Sequence, residues 1–120
     1  MLLKHMLNQS TSLDLAFQAL ADPTRRALLR RLAQGPVGVS DLARPLPMSL
    51  PAVMQHLATL ENAGLVVSQK VGRVRTCRLE PVALAAAEQW LSAQRSEWEG
   101  RLDQLGAYLN NFTPQGDIND

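Results

Sequence analysis

The stretch MSLPAVMQHLATLENAGLV, residues 48–66, decides the fold. Ser49 stands just ahead of an apolar run, where a hydroxyl can accept the free N–H groups of a helix start. Pro51 falls in the first turn, where a missing N–H costs little. Val53, Leu57 and Leu60 then recur at helical spacing, and Gly64 supplies the residue type that closes a helix in the left-handed conformation. The spacing predicts a helix over residues 50–63 with that apolar face inward. Pro51, Ala52, Gln55 and Thr59 then point outward, with Met54 and His56 on the flanks.

Working upstream, Ser40 is the expected cap of a short helix reaching about Leu46, stopped by Pro45 and Pro47. Before it, Asp22-Pro23 starts a helix expected to run to about Gln34, ended by Gly35-Pro36. Leu13, Phe17 and Leu20 mark a first helix over residues 11–21, preceded by an extension of residues 1–10. Downstream, residues 65–71 and 74–80 are rich in Val and Thr and separated only by Gly72-Arg73, a hairpin signal. Pro81 opens a helix to about Asn110, with residues 111–120 expected as a frayed tail. In that last helix Leu84, Leu91, Trp98 and Leu105 repeat every seven residues, with Ala87, Leu102 and Leu109 beside them. The seam reads either as an intrachain core stripe or as a dimer surface, and its length beyond the hairpin favours the dimer. Gly100 and Gly106 each weaken the helix by about 1 kcal/mol, so it needs packing to persist.

Bulk properties narrow the function classes. A chain of 120 residues with 46% hydrophobic content fits one modest core, and 4% aromatic residues leave the packing to Leu, Val and Ala. Cys77 is the sole cysteine, so an intrachain disulfide is impossible, in agreement with a reducing compartment. No apolar stretch is long enough to cross a bilayer, and Met1–Leu3 ahead of Lys4 and His5 lacks the apolar core of a secretory signal; a cytoplasmic protein is expected. The net charge of +1 conceals a division: residues 1–80 carry ten cations against five carboxylates, and residues 81–120 two against six. The first part suits a polyanion, although chance scatter in a short chain gives the same counts.

Helix, short helix, turn, helix and two-stranded ribbon is the order of a winged helix-turn-helix, mainly α with a β-hairpin wing. In that arrangement the helix over residues 50–63 enters the major groove of double-stranded DNA. Gln55 is the main candidate for reading a base, because its amide can pair bidentately with adenine. Ser49 and Thr59 can reach phosphates or bases, Ser49 while also capping its helix. Met54 is open between thymine-methyl contact and core packing, with packing favoured. Arg73 at the hairpin tip, with Lys70 and Arg75, forms a basic wing suited to phosphates or the minor groove. Arg44 and the Arg25-Arg26 pair are weaker phosphate candidates, and Arg30 and Arg31 are given no role. Neither histidine sits in a triad and no phosphate-cradling glycine loop occurs, so an enzyme is not expected. The competing readings are a winged-helix module that contacts another protein, and a thiol-responsive regulator using Cys77, whose pKa Arg75 and Arg78 could lower.

Four segments together resemble the ArsR-type winged-helix repressors: ALADPTRRALLRRL (residues 19–32), VSDLA (39–43), MSLPAVMQHLATLENAGLV (48–66) and GRVRTCRL (72–79). The resemblance covers residues 13–79. It implies a homodimer built from the first and last helices, which groups Leu13 and Phe17 with Leu84, Leu91, Trp98, Leu102, Leu105 and Leu109. It also implies an inverted-repeat operator, repression until a signal arrives, and a match of His56 to the family's recurrent recognition-helix histidine. The metal-sensing pattern is missing. Val37-Gly38-Val39-Ser40-Asp41 has no cysteine, the last helix has no histidine, and His5, His56 and Cys77 lie on separate elements. No metal and no cofactor are therefore expected, and the effector is left open. Met54 replaces a small polar residue common in the family, which alters the expected DNA contacts.

Overall fold

A computed structural model describes residues 2–112, with side chains from Thr11 onward. Helix α1, Leu2–Leu20, starts well ahead of the expected residue 11, because no glycine or proline interrupts that stretch. Residues 2–10, expected as an extension, are thus helical. Helix α2, Pro23–Leu32, begins where Asp22 accepts a hydrogen bond from the Arg25 main-chain N at 3.0 Å. It ends two residues short of Gln34, and Gly35, at φ 142°, turns the chain out of it.

The next element is one the sequence does not announce. Strand β1, Val37–Gly38, is too short to carry a periodicity and exists through its partner, with Val37 opposite Cys77 and Gly38 opposite Thr76. It delivers the chain directly into α3, Val39–Ala43, so the cap position is Gly38 without a side-chain bond, and not Ser40 as expected. The helix stops at Ala43, short of Leu46, since Pro45 and Pro47 cannot extend its hydrogen-bond ladder.

Helix α4, Leu50–Asn62, follows its sequence signals closely. Ser49 Oγ accepts from Ala52 N at 3.3 Å, and Gly64 takes φ +75° just beyond the helix. Strands β2, Val66–Val71, and β3, Val74–Leu79, form the hairpin with Val71 opposite Val74. Gly72 alone in this turn has positive φ, +63°, the requirement at the first position of a type II′ turn. The sheet is antiparallel in the order β1-β3-β2.

The expected inward face of α4 closes the core: Val53, Leu57 and Leu60 are buried with Leu28 and Leu32 of α2, Leu42 of α3, and Leu65, Val66 and Cys77 from the sheet. Each large aliphatic side chain so placed contributes about 1.5–3 kcal/mol relative to exposure. No polar side chain is fully buried among the described residues, so no desolvated polar side chain offsets that gain.

Helix α5 spans Pro81–Phe112 and slightly overruns Asn110. The chain divides after Ala87 into two units, and among the described residues the second is the part of α5 from residue 88 onward. Residues 113–120 of the expected tail lie outside the described residues. Among the described residues, no helix is long and apolar enough to cross a membrane.

Candidate nucleic-acid interface

Two elements of the first unit put candidate side chains at the surface: α4 and the β2–β3 wing. On α4, Pro51 and Gln55 are exposed and Ala52 and Thr59 half-buried. Gln55 makes no side-chain hydrogen bond among the described residues, leaving its amide free in both directions. Thr59 donates its hydroxyl to Gln55 O at 3.1 Å, which leaves it only acceptor capacity for a ligand. Ser49 accepts from the helix N-terminus while its hydroxyl proton stays available for an anion, so capping and phosphate donation are compatible. Met54, for which packing was favoured, is 47% exposed. It rims a cleft of about 170 Å³ between α4 and the wing whose floor includes Val39, Leu57 and Cys77.

The wing concentrates positive charge. Lys70 and Arg75 sit directly opposite each other on the β2–β3 ladder, and both are exposed with Arg73 at the tip. Like charges in that position destabilise a hairpin, by up to about 1 kcal/mol. Arg75 is steadied by donating Nη1 to Ser68 Oγ at 2.9 Å, whereas Lys70 and Arg73 have no ion pair or hydrogen bond among the described residues. Val71 and Val74, exposed beside the tip, flank Arg73 with apolar surface that the sequence reading did not single out. A second cleft, of about 400 Å³, lies between the wing at Arg73–Arg75 and the start of α3 at Ser40 and Asp41.

Four other arginines are committed within the chain. Arg25 donates Nε to Ala19 O at 2.7 Å and Nη2 to Gln18 O at 3.0 Å, and Arg26 donates Nη1 to Leu20 O at 2.7 Å. Both cap carbonyls at the end of α1, which weakens them further as phosphate candidates. Arg31 does the same for α3, reaching Asp41 O at 2.7 Å. Arg44 is exposed but pairs with Asp41 Oδ1 at 2.8 Å, which lowers its value as a phosphate donor. His56, expected on the DNA side, is half-buried with Nδ1 3.2 Å from Arg25 Nη1 and 3.8 Å from Asp22 Oδ2. Asp22 accepts the Arg25 main-chain N–H, which holds its carboxyl below the ordinary value; the charge of His56 when protonated and that of Arg25 act the same way, against desolvation.

With this geometry in place, comparison with known proteins is decisive. The profile of the bacterial regulatory protein arsR family matches residues 22–68, from the α2 cap into β2. The HTH-type transcriptional regulator Rv2034 of Mycobacterium tuberculosis is 55% identical over 61% of this chain and 68% of its own length. The chain belongs to the ArsR family. The arsenical resistance operon repressor of Escherichia coli, 31% identical, matches 82% of the chain and 83% of that repressor. Among solved structures, a homodimeric winged helix-turn-helix DNA-binding domain from Mycobacterium bovis superposes with a TM-score of 0.57 at 28% identity, covering 78% of this chain and 85% of that one. ArsR-family proteins are transcriptional regulators, and the chain is not an enzyme.

Among the described residues no group of three His, Cys, Asp or Glu side chains is placed to hold a metal ion. Cys77 is buried, and burial pushes its thiol up, with Glu61 adding to the effect and Arg75 opposing it. The expected lowering by Arg75 and Arg78 is thereby reversed; Arg78 instead lies 3.8 Å from Glu80. Of the grouped dimer residues, Leu13 and Phe17 of α1 are half-buried, and Leu84 packs against the core of the first unit. Leu91, Trp98, Leu102, Leu105 and Leu109 are exposed along the rest of α5.

Proposed function

We propose that this chain is a repressor that binds double-stranded DNA as a homodimer in the cytoplasm, reading an inverted-repeat operator with α4. Gln55 reads a base in the major groove, Ser49, Pro51, Ala52 and Thr59 approach the groove beside it, and Lys70, Arg73 and Arg75 hold the flanking backbone. The observation that carries this reading is the pairing of an open face on α4 with a wing whose opposed cations have too few partners of their own. A polyanion relieves that repulsion and releases its condensed counterions on binding. The division of charge supports it too, since all the excess cations belong to the part of the chain that carries α4 and the wing. Homodimerisation draws support from the dimeric neighbour and from the apolar residues exposed along α5. Repression is the action named for the Escherichia coli relative.

The test is selection of duplexes from a random pool by the purified chain, followed by footprinting and sedimentation. The expected product is an imperfect inverted repeat with half-site centres about 34 Å apart, one turn of DNA. A monomer that ignores duplexes in dilute salt overturns the reading.

A further inference from the structure

His56 lies on the helix that carries the base-reading side chain, yet it is held at the corner between α1 and α2. The group that holds it is unusually fixed. Arg25 donates Nε and Nη2 to two carbonyls at the end of α1, and its main-chain N to Asp22 Oδ2, leaving Nη1 aimed at His56 Nδ1 from 3.2 Å. A guanidinium keeps its protons and has no lone pair to offer. The Arg25–His56 contact is therefore a hydrogen bond only when Nδ1 is the acceptor, which requires a neutral ring with its proton on Nε2.

We propose that His56 is a positioning residue for DNA reading: its neutral ring, accepting from Arg25, ties the middle of α4 to the end of α1 and fixes the setting in which Gln55 faces a base. The proposal rests on the DNA-binding reading above. A proton on Nδ1 turns the accepted bond into two N–H groups directed at each other on adjacent cations. Asp22, 3.8 Å away, is the acidic group beside the ring, and its Oδ2 already accepts from Arg25 N. Asp22 and Arg25 are the charged groups that face His56; no ion pair or hydrogen bond from a side chain of α1, α3 or the sheet reaches the ring among the described residues. Protonation thus undoes the tie to Arg25 with only a partial substitute. Histidine is the side-chain type whose charge changes in the physiological range, so pH is the variable that tests the link.

The experiment measures, at fixed salt, the ratio of affinities for a duplex selected by the parent chain and for a scrambled duplex of equal length. The ratio is expected to fall about threefold to tenfold from pH 8 to pH 6, the scale of the net contribution of one typical hydrogen bond. His56→Asn places an amide oxygen near the position of Nδ1 without a titrating group, and should keep the parent's pH 8 ratio at both values. His56→Leu should lose the ratio at pH 8 while still binding both duplexes. A parent ratio flat across the range, an Asn variant with the parent's slope, or a Leu variant with the parent's ratio would each overturn the proposal. Should the Leu variant not fold, the Asn comparison still decides. Long-range ¹⁵N–¹H spectra of the His56 ring in the free protein provide a separate readout: a proton on Nε2 at pH 8 is expected, and one on Nδ1 overturns the proposal whatever the DNA result. A parent that binds no duplex at all sinks the DNA-binding reading and the role of His56 within it, and is recognised as that failure because the tautomer remains as assigned.

Discussion

Gln55 and Arg73 are both exposed and both free of partners among the described residues, yet their removal should have different consequences. An amide that pairs bidentately with one base adds discrimination at one position, so Gln55→Ala should cost about 1–3 kcal/mol against the preferred base and little against other duplexes. A guanidinium on a phosphate is blind to sequence. Arg73→Ala should weaken binding to every duplex and reduce the magnitude of the salt slope by about 1. Salt titrations on selected and scrambled duplexes separate the two patterns, and an Arg73→Ala effect confined to the selected duplex would contradict the phosphate role. Asp22 makes a prediction about pH. Its carboxyl is held below the ordinary value of 3.8, so folding binds fewer protons there than the unfolded chain does. The stabilisation is fully present above that ordinary value and is lost as pH falls through the lower folded one. Urea unfolding of the parent should therefore weaken more steeply in acid than that of Asp22→Asn, and parallel curves would remove Asp22 as the cause.

Among the elements, α4 is the one on which recognition and stability meet. Leu60 is fully buried on its inner face, so Leu60→Ala leaves a cavity and should cost about 2–5 kcal/mol by denaturant unfolding, with the outer face chemically unchanged. An effect under about 1 kcal/mol would mean that the helix repacks easily. The bounds of α4 were legible because Ser49 and Gly64 mark both ends and three aliphatic residues mark one face. Strand β1 was not, since two residues carry no pattern and pairing with Cys77 and Thr76 lies far along the chain. The arginines were hard to read for a related reason. Composition reports a cation at Arg25 or Arg26, but whether it faces a phosphate or the carbonyls at the end of α1 depends on how two helices meet. His56 shares that history: spacing put it on a flank of α4, and only the fold shows that the flank adjoins Arg25. Gln55, Lys70 and Arg73 were easier to read, because an exposed residue is placed by its own element alone.

For the whole molecule, charge and apolar surface are sorted along the chain. The unit ending at Ala87 holds the cationic excess, while the last helix combines an anionic excess with exposed apolar side chains that include Trp98 at 54% and Leu102 at 65%. An anionic helix has no affinity for DNA, and such an apolar series in water gains most by packing against another protein surface. With a second copy as that surface, two α4 helices are carried on one particle and the second half-site is met at a high effective concentration. Leu102→Asp tests this with small collateral damage, because a side chain so exposed in one chain contributes little to that chain's own stability, about 0.5 kcal/mol at most. The parent should sediment at twice the 13.2 kDa chain mass and the variant at 13.2 kDa. Operator affinity should fall by about 10²-fold or more as the linkage between half-sites is lost, while affinity for an isolated half-site changes little. A variant that remains dimeric with parental operator affinity would place the subunit contact elsewhere and leave the exposed residues of α5 without a role in DNA binding.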